Sequence, residues 1–151
     1  MSEQHVDPAA IITWRMETAL IVLVLAVAAA IPLAPLSLSL ALPASLIIGA
    51  GGLVLAWFWP AARYRRLTYR LDDVGLTIQD GVWWRTQTSL PRLRIQHSDV
   101  SQGPLQRRYG IATLKLYTAG SRYTKVELEG LRHEDALALR DRLVRREDLS
   151  G

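Results

Sequence analysis

The sequence predicts an α+β chain: a two-helix transmembrane hairpin, then a small antiparallel β domain closed by a C-terminal helix. Three observations carry that expectation. Residues 18–62, 45 in a row, contain no Lys, Arg, Asp or Glu. From Leu67 onward, apolar and polar residues alternate at the two-residue period of a half-buried strand. The final stretch, "LRHEDALALRDRLVRR", changes to the period of an amphipathic helix.

The uncharged run is about twice the ~20 residues that one bilayer-crossing helix needs. Pro32 and Pro35, in "IPLAPLSLS", punctuate it, which sets the spans near residues 13–31 and 38–59. Backbone polar groups in lipid must be satisfied internally, so two helices joined by a tight turn are the available solution. Trp14 at the start of the run and Trp57 and Trp59 at its end suit the interfacial tryptophan belt. A buried helical core does not explain the run, because the remaining ~90 residues could not enclose two such helices. A cleaved signal peptide does not either, since Arg15 stands against Glu3, Asp7 and Glu17 and no basic leader precedes the first span. Arg63, Arg65, Arg66 and Arg70 follow the second span and the outer turn has no basic residue. The positive-inside rule therefore expects both termini in the cytoplasm. Gly49 to Gly52 ("GAGG"), with Ser45 and Ala56 at helical spacing, are expected to let the two helices pack closely within the hairpin. This divides the chain into an N-terminal cytoplasmic segment (1–12), the hairpin (13–60) and a cytoplasmic domain (63–148).

That domain is basic: residues 63–151 hold 17 Lys+Arg against 11 Asp+Glu. Leu67, Tyr69 and Leu71 share one parity, and Asp72-Asp73 marks a turn. Val74, Leu76 and Ile78 then alternate inward, and Asp80-Gly81 signals a hairpin. Val82, Trp84, Thr86, Thr88 and Leu90 continue inward on the returning strand, with Trp83, Arg85, Gln87 and Ser89 outward, until Pro91 ends it. The next strand is expected from Arg92, with Leu93, Ile95 and a packed His97 inward and Arg92, Arg94 and Gln96 outward. "SQGP" breaks it, and "LQRRYG" reads as one helical turn closed by Gly110. Ala112, Leu114 and Leu116 line a further strand, "TAGS" turns the chain, and Thr124, Val126 and Leu128 line the last. In the closing helix, Ala136, Leu139 and Leu143 form the apolar stripe. Glu134 and Asp135 at its start and Arg142, Arg145 and Arg146 at its end complement its dipole.

These pieces resemble a known family. Two spans, then "DGVWWRTQTSLPRLRIQH", "GPLQRRYGIATLKLYTAG" and "ELEGLRHEDALALRDRL", are similar to the YdbS-like bacterial membrane proteins with a pleckstrin-homology-like (bacterial PH) domain. The resemblance implies a split β-barrel or two roughly orthogonal antiparallel sheets with the C-terminal helix as cap. It brings no catalytic residues. Eukaryotic pleckstrin domains hold phosphoinositides with a basic loop between their first two strands, and the acidic "DDVG" here argues against that mode.

Function classes can then be narrowed. Without cysteine there is no disulfide, thiolate catalysis or Cys-ligated zinc. His5, His97 and His133 are too far apart to suggest a metal site. No glycine-rich phosphate loop or activated serine occurs, so neither enzyme activity nor a cofactor is expected. Basic charge alone supplies nonspecific phosphate attraction, and without a recognised motif no nucleic-acid partner is expected. What remains is a non-catalytic, membrane-anchored module that binds a protein, either a second copy or another membrane protein. The alternative is contact with anionic phospholipid headgroups. The candidate contacts for either are Trp83, Arg85, Arg92, Arg94, Arg107 and Arg108.

Overall fold

A computed structural model describes residues 3–33, 38–119 and 125–144. The chain divides into two compact units, one formed by Met1–Ala10 with Arg63–Gly151 and the other by Ile11–Ala62.

The second unit is the hairpin, drawn from α1 (Ala9–Leu33) and α2 (Leu38–Arg66). Each contains a window of mean hydropathy 1.9, and few residues of either window are buried inside the protein. Leu20, Ile21, Leu46 and Ile47 all project outward. The helices run antiparallel, since the Arg15 guanidinium lies 4.2 Å from the centre of the Trp57 ring. A Cβ on Gly52 would collide with the Val22 side chain, whereas Gly49 and Gly51 have nothing within 4 Å. Of the "GAGG" residues, Gly52 therefore makes the close approach that the spacing suggests. Both helices outrun their expected limits. In particular, α2 continues through Pro60 to Arg66. A proline removes one backbone hydrogen bond, and a helix with many others can carry that loss.

The first unit holds two antiparallel sheets. Sheet A is β1 (Gln4–His5), β2 (Thr68–Leu71), β3 (Gly75–Asp80) and β4 (Thr86–Pro91), in that order. Sheet B is β5 (Ile95–Ser101), β6 (Ile111–Thr118) and β7 (Lys125–Arg132). No ladder joins β4 to β5, so this is a pair of sheets rather than a closed barrel. A short helix, α3 (Pro104–Arg108), links β5 to β6, and α4 (His133–Val144) packs against sheet B. Leu67, just before β2, and Leu76, Ile78 and Leu90 from sheet A are buried, as are Leu114, Leu116 and Leu128 from sheet B. Ala136, Leu139 and Leu143 form the buried stripe of α4. Each such leucine or isoleucine contributes roughly 1.5–3 kcal/mol by leaving water.

The strand at β1 was not expected from the sequence. Gln4 and His5 pair with Tyr69 and Thr68, and the Asp7 N–H donates to the Gly130 carbonyl at 2.8 Å. Asp7 then caps α1, accepting from the Ala9 N–H at 2.8 Å. Gly130 can receive this contact because a bulge in β7, between Leu128 and Leu131, holds it at φ 80.

Four parts of the sequence reading are corrected. The strand expected from Arg92 begins at Ile95, and Arg92–Arg94 is a 3-10 turn. This turn throws Leu93 outward, 98% exposed. A register shift between Ile95 and His97 then turns His97 to solvent, where Nε2 lies 3.0 Å from Asp99 Oδ1. The returning strand of the Asp80-Gly81 hairpin starts at Thr86 rather than Val82, so Trp84 leaves the core along with Trp83. Val74 sits at a turn tip, also exposed. Thr124, Arg145 and Arg146 lie outside the described residues.

Candidate functional site

Strand direction sorts the candidate residues into two groups. Both peptide links to the hairpin leave the β domain at one end, after Ala10 and before Arg63. Arg63 defines that end: its guanidinium lies 3.5 Å from Asp80 at the end of β3 and 3.2 Å from Glu129 in β7. The loop 81–85, which carries Trp83, Trp84 and Arg85, directly follows Asp80. At the same end of sheet B, Ile111 opposes Arg132, whose Nε lies 3.5 Å from Asp7. Arg107 and Arg108 on α3 precede that strand start. Arg92 and Arg94 belong to the other end, beyond the last residues of β4.

These groups differ in chemistry as well as place. Arg92 is committed to the fold: its Nη2 donates to the Asp72 carbonyl at 3.1 Å and its backbone N–H to the Val74 carbonyl at 3.1 Å. It therefore holds the β2–β3 turn. Arg85, Arg94, Arg107 and Arg108 are exposed. Loop 81–85 is tightly built at its base. The Asp80 carboxylate accepts from the Gly81 N–H at 2.7 Å, and Gly81 adopts φ 124. A Cβ there would overlap the Trp84 carbonyl. Only glycine closes this turn without strain. At its tip, Trp83 is 81% and Trp84 85% exposed.

A second surface was not found from the sequence. A groove of about 340 Å³ runs between β5 and α4, lined by Ile95, Gln96, His97, Arg140, Leu143 and Val144. Ile95 and Leu143 are buried and form its floor. Among the described residues of sheet B, β5 pairs with β6 alone, so its outer edge borders the groove. The reading of His97 as a core residue hid this site.

Burial, and then the charge of Asp135, raises the Tyr69 phenol above its ordinary value. The hydrogen bond to Glu127 raises the Lys125 ammonium. Among the described residues, no three His, Asp or Glu side chains come together to hold a metal ion.

Two apolar helices of bilayer length joined to a paired-sheet domain with a C-terminal helix define a membrane protein with a pleckstrin-homology-like module. The chain belongs to the bacterial PH domain family, which it matches over residues 10–147. It is 34% identical over 95 residues to the transmembrane protein YdbS of Bacillus subtilis (strain 168). That alignment covers 63% of this chain and 58% of the relative, so the chain spans less than two thirds of the relative's length. No solved structure matches.

Proposed function

We propose that this protein is a non-catalytic adaptor, anchored by its hairpin, that binds a protein partner at the cytoplasmic face of the membrane through the β5–α4 groove. The observation that carries this reading is an open strand edge beside a groove with an apolar floor. An extended segment laid along β5 would gain backbone hydrogen bonds from the edge and side-chain burial against Ile95 and Leu143. Polar groups at the rim, from Gln96, His97 and Arg140, would set its register.

The binding test is photo-cross-linking from position Gln96 of the full chain in native membranes. A discrete heterologous adduct is expected, lost in Leu143→Arg, with no counterpart from position Thr77 on sheet A. Adducts confined to the chain itself would assign the groove to copies of this protein and overturn the adaptor reading. The face of the membrane is tested separately, using the absence of native cysteine. In intact cells, Ser37→Cys should react with an impermeant thiol reagent, and Leu93→Cys should react only after lysis. Labelling of Leu93→Cys in intact cells would invert the topology.

A further inference from the structure

Outside the spans, the largest exposed apolar side chains are Trp83 and Trp84, adjacent on one loop tip. Water is a poor surrounding for two indoles, and an unused tip of this kind marks a contact site. Three observations say what it contacts. First, the tip is tied to the end of the domain at which the chain passes to the spans. Asp80 at its base is ion-paired to Arg63, the first residue after the uncharged run. Second, the tip is flanked by positive charge. Arg85 adjoins it, exposed Arg65 and Arg66 follow Arg63, and Arg107 and Arg108 sit at the corresponding end of sheet B. Of the acids at this end, Asp80, Glu129 and Asp7 are each paired with an arginine, while exposed Glu134 and Asp135 begin α4 just after Arg132. Third, the residue type fits: an indole, with an apolar body and one N–H donor, favours the boundary between lipid tails and headgroups.

We propose that Trp83 and Trp84 dock in the headgroup region of the bilayer that the hairpin crosses, with Arg85, Arg107 and Arg108 set against anionic phospholipid. The bound surface is lipid, distinct from the groove, and this contact does not depend on a partner there. Gly81 and Asp80 serve it by presenting both indoles from a closed turn. Two kinds of contact contribute. Indole insertion is insensitive to salt, whereas the arginines act through a field that shortens with the Debye length, about 10 Å at 0.1 M ionic strength.

The experiment uses the full chain in vesicles of phosphatidylethanolamine with phosphatidylglycerol, with no other protein present. Spin labels are placed on single cysteines at Trp83, at Trp84 with the other tryptophan retained, and at Leu93 on the opposite end. The two loop labels should collide with dissolved oxygen and lose access to an aqueous nickel relaxer; the Leu93 label should keep that access. Phosphatidylcholine vesicles or high salt should weaken but not abolish the protection, and Leu143→Arg, which blocks the groove, should leave it intact. Full aqueous access at both loop positions would overturn the proposal. So would protection that arises only in native membranes, which would assign the tip to a protein.

Discussion

Leu20 in the hairpin and Leu114 in the β domain are the same residue in opposite states. Leu20 projects outward from α1, and Leu114 is buried in the middle of β6. Among the described residues of the hairpin, most large apolar side chains face out. In the β domain they face in, and the few exceptions, Val74, Trp83, Trp84, Leu93 and Val144, become conspicuous. The contrast teaches that exposure has meaning only against the local solvent. An outward leucine is unremarked in hydrocarbon, while an outward tryptophan in water needs an explanation.

Paired substitutions test this contrast. Leu114→Asp buries a charge without a partner and should cost the domain about 3–5 kcal/mol, enough to abolish cooperative unfolding of the full chain in detergent. Leu20→Asp should leave the domain's unfolding midpoint unchanged. It should instead impair insertion, by about 2.5–3.5 kcal/mol for an acid at a span centre. If both substitutions shifted the same transition, the two regions would not be solvated differently.

Packing inside the hairpin is a smaller effect. Gly52→Leu meets Val22 and should destabilise helix pairing by about 1–3 kcal/mol. Gly49→Leu, facing open space, should be nearly neutral. A cross-link between the helices, formed in Gly49→Leu and lost in Gly52→Leu, would read the difference directly.

Arg63→Gln should cost under about 1 kcal/mol, because its partly exposed ion pairs are screened by solvent and salt. The loss should shrink further at high ionic strength. The alkaline range offers the finest test. Tyr69 has a raised pKa, so the fold favours its neutral form. Its contribution is fully present below the ordinary value near 10 and is lost as pH rises through the folded value. In Tyr69→Phe, stability should therefore fall less steeply above pH ~10 than in the parent chain.

The fold was largely legible where periodicity was long and backed by solvent contrast. The spans, the α4 stripe of Ala136, Leu139 and Leu143, and the inward parity of Leu76 and Leu114 all follow from spacing. What escaped the sequence were places where one residue breaks a period. Parity carried past Arg92 assigns Leu93 inward and His97 to the core; a 3-10 turn and a register shift reverse both. Trp84 was misread for a related reason, since alternation continues through a loop that forms no ladder. The groove was invisible because it depends on β5 and α4 meeting across some forty residues of chain. Its lining residues carry no joint signature in sequence.

The smallest strand has a consequence for biosynthesis. Gln4 and His5 leave the ribosome before either span, yet their ladder partners, Thr68 and Tyr69, emerge only after both. Sheet A can acquire its edge strand only if the chain has crossed the bilayer and returned. A hairpin that stalled after one crossing would leave β1 and its partner strand on opposite sides of the bilayer. Val6 would then lack its place in the core, and Gly130 would lose the N–H of Asp7. A chain that failed to return would be left with an unfinished edge on sheet A, a row of unpaired backbone groups open to proteolysis.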